Sequence, residues 1–326
     1  MNVEPGKDLN IPNSSRSWRR LKAVLTLCGV GLLIGMVIWV GPAALWGRLR
    51  AVDPSYFATA MVAIVAGTVL GAVNSYLICG ASQVMGFIEY LRAFWVAWAV
   101  GLAMPGQVGD MLTLTQVLRS RGIPLSQSVA RTGVDKVMSL VCTLLIASQL
   151  FRLGDALVLR SLSVGAIVLL LGIVVSVAMS LWALHRIRRW GFTNRWIIGA
   201  IATAAEVARI VLDRPRLLLW NLGLSLVKIG LTGISYWLVL RGLSDHVPPL
   251  TNVTIAAVSS GLVAYLPLSA NGIGTVEVAG TGVFGEVGVE PAVVLSMYVL
   301  LRLANFLLAW LPAAFLLPDL LRHRRT

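Results

Sequence analysis

Residues 101–118, GLAMPGQVGDMLTLTQVL, and residues 261–285, GLVAYLPLSANGIGTVEVAGTGVFG, are apolar stretches broken at their centres by proline and glycine. They lie within longer apolar regions, 92–119 and 251–288, each too interrupted for one membrane crossing and too short for two, since a crossing helix needs about 20 apolar residues. Backbone that leaves the helix at membrane depth must be buried in protein or line a cavity. Each region therefore reads as a re-entrant helical hairpin, a device that builds binding sites near the bilayer midplane.

The rest of the chain supports a membrane setting. Of its 326 residues, 57% are apolar and only 13% are Asp, Glu, Lys or Arg, roughly half the charged fraction of a soluble domain. A chain of this length cannot bury that surplus in its own core, so lipid has to solvate it. Six uninterrupted stretches, 21–41, 56–80, 127–149, 161–184, 217–240 and 291–317, have the length and composition of spans. Helix is the state lipid permits for them, because the alternating pattern of a barrel is absent. The expected fold is an all-α integral membrane protein of about six full helices and two re-entrant hairpins. It forms a single membrane domain over 21–318, between a polar basic tail at 1–20 and a basic tail at 319–326. The first span lacks a small-residue cleavage site and reads as an uncleaved signal anchor.

The formal net charge of +13 suggests nucleic acid in isolation. Its distribution argues against that, because the basic residues cluster between apolar runs. With both hairpins returning to their side of origin, segments 1–22, 81–125, 185–216 and 318–326 carry 18 Arg and Lys, whereas the opposite loops carry 5. The positive-inside rule then places both termini in the cytoplasm, and the cell inner membrane is the expected location. Segment 185–216, opening HRIRRW, suits an amphipathic helix along the interface. It reads either as a charged connector or as a surface for anionic lipid.

The two broken regions echo one another. Pro105 and Gly109 precede a Gly-x-Pro at 122–124 and then Asp135 and Lys136. Pro267, Gly272 and Gly274 precede the GVEP at 288–291 and then Arg302; Pro124 to Asp135 and Pro291 to Arg302 each span 11 residues. An odd number of crossings separates the hairpins, so the repeat is inverted, the arrangement of many transporters.

Embedded charge gathers at these places. Asp110 follows the first break, Arg131, Asp135 and Lys136 lie early in the next span, Lys228 is mid-span, Glu277 follows the second break and Arg302 lies in the last span. Facing lipid would be costly for each, so each should face protein or a polar cavity. Arg131 and Asp135, four apart on one helical face, are placed to pair. Arg and Lys suit phosphate oxygens, and backbone N–H groups at the start of an interrupted helix add donors. MPGQVGD and SANGIGTVE offer such starts, with glycines that permit close approach. These charges serve either to hold the bundle together or to line a substrate path. Small-residue pairs at Gly31/Gly35 and Gly67/Gly71 suit close helix packing, within the chain or in a homo-oligomer. The cysteines Cys28, Cys79 and Cys142 lie in apolar runs with no metal spacing. No metalloprotease, P-loop or serine-elbow motif points to a cofactor or a catalytic centre.

Two motifs resemble a known family. MPGQVGDMLTLTQVLRSRGIPLSQSVARTGVDKV is similar to a Pro-Gly-x-x-Gly segment leading into a polar helix, and LPLSANGIGTVEVAG to a Leu-Pro-x-Ser-x-x-Gly-x-Gly-x-x-Glu segment, of the lysylphosphatidylglycerol synthase transmembrane region. The resemblance covers most of 20–318 and implies that Pro105, Gly106, Gly109, Pro267, Ser269, Gly272, Gly274 and Glu277 hold motif positions. Where the family carries a Glu-Arg pair in the helix after the first motif, this chain has Asp135-Lys136. The resemblance further implies movement of aminoacylated phosphatidylglycerol, hopanoid-like lipids or polyprenyl-linked glycans. A soluble aminoacyltransferase domain would need a few hundred more residues, so translocation or a partner role is expected rather than lipid aminoacylation. The expected substrate-binding set is Pro105, Gly106, Gly109, Asp110, Arg131, Asp135, Lys136, Ser269, Gly272, Gly274, Glu277 and Arg302. The competing expectations are a membrane partner of a lipid-modifying enzyme or glycosyltransferase, and an enzyme acting on a lipid phosphate.

Overall fold

The computed structural model describes residues 27, 29–104, 109–153, 164, 167, 195–266, 269 and 271–322. All regular structure among them is helical. The expected tail at 1–20, nearly all of the expected span at 161–184 and the start of the segment at 185–216 lie outside the described residues.

The first expected span, 21–41, is helical over residues 29–40 and ends at a sharp bend. Helix α1 (Gly29–Val40) turns by 87° into α2 (Pro42–Arg50). Gly41 adopts φ 92, a left-handed conformation that glycine takes without strain, and Pro42 starts the next helix at a position where its missing N–H costs nothing. Helix α3 (Pro54–Cys79) begins at Asp53, whose carboxylate accepts from Ser55 N–H at 2.8 Å, and ends at Gly80 with φ 61. The first broken region forms α4 (Phe87–Leu102) and α5 (Gly109–Ser120), which pack against one another. Then come α6 (Leu125–Ala147), the amphipathic α7 (Arg195–Asp213) and α8 (Pro215–Leu243). The second broken region forms α9 (Leu250–Gly261), a 3-10 turn (Leu262–Tyr265) and α10 (Thr275–Glu286), again packed together, and α11 (Pro291–Arg322) closes the order. Four helices among the described residues are long and apolar enough to cross a membrane, five if α1 and α2 count as one bent span. Of the expected six, α3, α6, α8 and α11 are these four, α1 lies within the first with its bend at that span's last residue, and the fourth, 161–184, falls almost wholly outside the described residues.

Helices α3 and α8 run antiparallel along their length. Asp53 N–H donates to the Gly242 carbonyl at 3.0 Å at one end, Gly67 approaches Leu231 and Gly71 approaches Lys228 midway, and Asn221 donates to Asn74 at 2.9 Å towards the other end. Cys79 therefore lies at one face of the bundle and Leu243 at the opposite face. Arg131 near the start of α6 donates to the Cys79 carbonyl at 2.9 Å, so the α4–α5 unit leaves and rejoins at the Cys79 face. The α9–α10 unit leaves and rejoins at the Leu243 face, where Glu290 before α11 pairs with Arg48 of α2. The breaks of the two units meet in the interior: Asp110 and Asn271 line one small cavity.

The core lies around the second unit. Tyr298 of α11 takes Tyr236 and Phe284 edge-on at 5.8 and 6.4 Å, and its hydroxyl lies 2.6 Å from Ser260 Oγ. Gly274, at φ +80, lets α1 touch the break, since an added Cβ would lie 2.3 Å from the Gly29 carbonyl oxygen. The outside carries large apolar side chains such as Trp39, Leu219, Trp220 and Phe315, as lipid-facing surface requires.

Candidate functional site

At the first break, α4 and α5 come together so closely that a Cβ on Gly109 would lie 3.0 Å from the Val100 carbonyl oxygen and 3.1 Å from Gly101 Cα. That crowding explains the glycine. Asp110 then stands in the first turn of α5; Met111 N–H donates to its Oδ1 at 2.7 Å, and its Oδ2 forms an ion pair with Lys136 of α6. Pro105 and Gly106 lie outside the described residues.

The second break repeats this chemistry. Asn271, Gly272 and Gly274 have φ of 47, 70 and 80, and the chain turns through them into α10. Glu277, fully buried, accepts the Gly274 N–H at 2.7 Å and forms an ion pair with Arg302 of α11. Arg302 also donates to the Asn271 carbonyl at 3.4 Å. Ser269 is buried, with its hydroxyl 3.2 Å from that of Thr275. Acid and base are 26 residues apart at the first break and 25 at the second. The counterpart of Arg302 is thus Lys136; the equal Pro-to-charge spacing had aligned Arg302 with Asp135.

This geometry corrects one expectation. The helix starts do not hold the Met111 and Gly274 N–H groups open for a ligand; Asp110 and Glu277 already occupy them. A carboxylate at a helix start meets both the unpaired N–H groups and the positive end of the dipole, and the three-residue spacing from Gly274 to Glu277 is that of a capping box.

A second expectation also changes. Arg131 does not pair with Asp135. Its guanidinium donates to buried Glu206 of α7 at 3.2 Å, to the Cys79 carbonyl and to Gln127 Oε1 at 3.4 Å. Asp135 turns to two amides that sequence reasoning passed over: Asn221 donates to its Oδ1 at 2.8 Å and Asn74 at 3.5 Å, while Asn74 also reaches Ser225 Oγ at 3.2 Å. The available signal was an asparagine within each long apolar helix, where an amide needs a polar partner. Arg131 thus fastens α7 to the bundle, and the other embedded charges form a separate group.

That group, apart from the fully buried Glu277, lines three neighbouring cavities that share walls. The first, about 360 Å³, is lined by Asp110, Asp135, Lys136 and Lys228 together with Asn74, Tyr236 and Asn305. The second, about 130 Å³, lies between Asp110 and Asn271. The third, about 200 Å³, reaches Arg302 and shares Tyr236, Leu301 and Asn305 with the first. A charge at the centre of a span costs about 2.5–3.5 kcal/mol on insertion scales; pairing and shared polar space offset that here. Gly67 and Gly71, read from sequence as a helix-packing pair, line the first cavity. Among the described residues no group of three His, Cys, Asp or Glu gathers to hold a metal.

Long apolar helices packed around neighbouring cavities that are lined by embedded charge define a multi-span α-helical membrane protein. Residues 26–313 match the lysylphosphatidylglycerol synthase TM region, and the chain belongs to that family. No curated protein matches it.

Proposed function

We propose that this protein is a lipid translocator of the flippase type. The observation that carries the reading is the meeting of two equivalent ion pairs, Asp110–Lys136 and Glu277–Arg302, around cavities that share walls at the junction of the two breaks. The units act as re-entrant hairpins of an inverted repeat, whose rocking exposes the path to each face in turn. The headgroup enters the polar path while the hydrocarbon tails stay in lipid. Lys136 and Arg302 receive its phosphate by exchanging their own carboxylates for it, and Asp135 holds its place through Asn74 and Asn221. The chain sits in the cell inner membrane with the Cys79 face and both termini cytoplasmic. Its substrate comes from one of four classes: an anionic, an aminoacylated, a hopanoid-like or a polyprenyl-linked lipid.

Reconstitution into liposomes with labelled lipids of these classes tests the reading. Wild type should accelerate transbilayer movement of at least one, and Glu277→Gln and Arg302→Ala should slow it. Folded protein that accelerates none of them refutes translocation. Release of a water-soluble product from the lipid would point to an enzyme instead. A second reading, a membrane partner of a lipid-modifying enzyme or glycosyltransferase, draws on α7: Arg131 fastens it through Glu206 while Arg209 stays exposed.

A further inference from the structure

Lys228 was not among the residues expected to bind substrate, yet it differs from every other embedded charge. It lies midway along α8, half-buried, on the wall of the 360 Å³ cavity. Among the described residues no carboxylate lies within 4.0 Å of its ammonium, whereas Lys136, Arg131 and Arg302 each have one. The two carboxylates on the same wall are engaged elsewhere: Asp110 by Lys136 and Met111 N–H, Asp135 by Asn221 and Asn74.

The lysine stem packs against the facing helix: an added Cβ at Gly71 of α3 would lie 3.5 Å, an ordinary van der Waals distance, from Lys228 Cδ and from Phe94 Cζ alike. Thr68, Thr232 and Ser235 line the same cavity and spend their hydroxyl protons on carbonyls of their own helices. Their hydroxyls add no donor, whereas among the described residues none of the three N–H bonds of Lys228 has a hydrogen-bond or ion-pair partner.

We infer that Lys228 is the primary phosphate-binding residue of this cavity and that the headgroup it takes is an anionic phosphodiester whose charge is not balanced by an ammonium of its own. This rests on the translocator reading for its source, a lipid, but concerns binding alone. An ammonium-bearing headgroup would have to compete for Asp110 or Asp135, both already supplied with donors; an anion meets an ammonium without an acceptor. Lys228 thereby sets charge selectivity before either break is disturbed.

The test is equilibrium binding to purified protein in neutral detergent, read by calorimetry with soluble dihexanoyl phosphatidylglycerol. Dihexanoyl phosphatidylethanolamine and inorganic phosphate serve as separate arms. Wild type should bind the phosphatidylglycerol, Lys228→Gln should lose about tenfold or more in affinity, and Lys228→Arg should keep most of it, as expected for a charge-assisted hydrogen bond. Phosphatidylethanolamine should bind more weakly and respond little to Lys228→Gln. Equal affinity of wild type and Lys228→Gln for phosphatidylglycerol overturns the inference. So does phosphatidylethanolamine binding as tight as phosphatidylglycerol, or inorganic phosphate that competes as well as the lipid. Lys228→Gln removes an embedded charge and should fold; unchanged helical circular dichroism and the Lys228→Arg arm guard against loss of structure. Lys228-dependent binding without transbilayer movement would refute translocation and leave this site standing.

Discussion

The two breaks carry the same acid–base pair in different surroundings, and a double-mutant cycle at each should report unequal energies. At the second break the side chains of Glu277 and Arg302 are 1% and 19% exposed. At the first, those of Asp110 and Lys136 are 21% and 33% exposed. Removing one member of a buried pair strands the other charge and costs about 3–5 kcal/mol, whereas a partly solvated pair is worth about 1 kcal/mol. Glu277→Gln should therefore destabilise the fold by about 3 kcal/mol or more. The companion Arg302→Met in the Glu277→Gln background should recover a large part of the loss, because the stranded guanidinium goes with it. Asp110→Asn should cost about 1 kcal/mol, with coupling to Lys136→Met of no more than that. The assay is unfolding in mixed micelles at increasing denaturing detergent, followed by helical circular dichroism and by Trp fluorescence. Coupling at Asp110–Lys136 equal to or larger than that at Glu277–Arg302 would refute the reasoning, since burial would then not govern the pair.

Three further outcomes follow from individual contacts. Gly233→Ala should cost about 1–3 kcal/mol by overpacking, because its Cβ would meet Thr254 Oγ1 at 2.0 Å, and Thr254→Ala should restore part of the loss in the same unfolding assay. Arg131→Met should leave Glu206 buried without its main partner and free α7, so hydrogen exchange should quicken over 195–213 while α3 and α8 keep their protection. Asp53 is solvent-exposed, and its hydrogen bonds from Ser55 hold the carboxyl below its ordinary value of 3.8. The cap therefore contributes fully above that value and is lost as pH falls through the lower folded value. The difference in melting temperature between wild type and Asp53→Ala should be constant near neutrality and shrink in that acid window.

Much of the frame was legible because lipid makes the rules simple. Apolar length alone located α3, α6, α8 and α11, and proline with glycine located both breaks. Gly41-Pro42 was an equally plain signal, but the apolar run before it hid the bend. The site was legible in composition and less so in pairing. Arg131 and Asp135 obey the four-residue rule, yet that rule weighs only neighbours on one helix. Glu206, 75 residues beyond Arg131, and Asn221, 86 beyond Asp135, offered burial and geometry that no local spacing encodes. The capping role of Glu277 could have been read from its place three residues after Gly274. Glycine-rich turns so often serve phosphate that the same residues read equally well as open donors.

The carboxylates at the two helix starts bear on the membrane's electrical insulation. A line of polar cavities through a bilayer invites water, and continuous water would let protons and small ions leak down their gradients. Here the carboxylate at each break already accepts from a backbone N–H at its own helix start and from a base of the next span. An anion reaching either break would have to displace Asp110 or Glu277 from the partners each already holds. On the translocator proposal, a headgroup whose hydrocarbon stays anchored in the surrounding lipid would remain long enough to compete for these pairs, where an untethered ion would not.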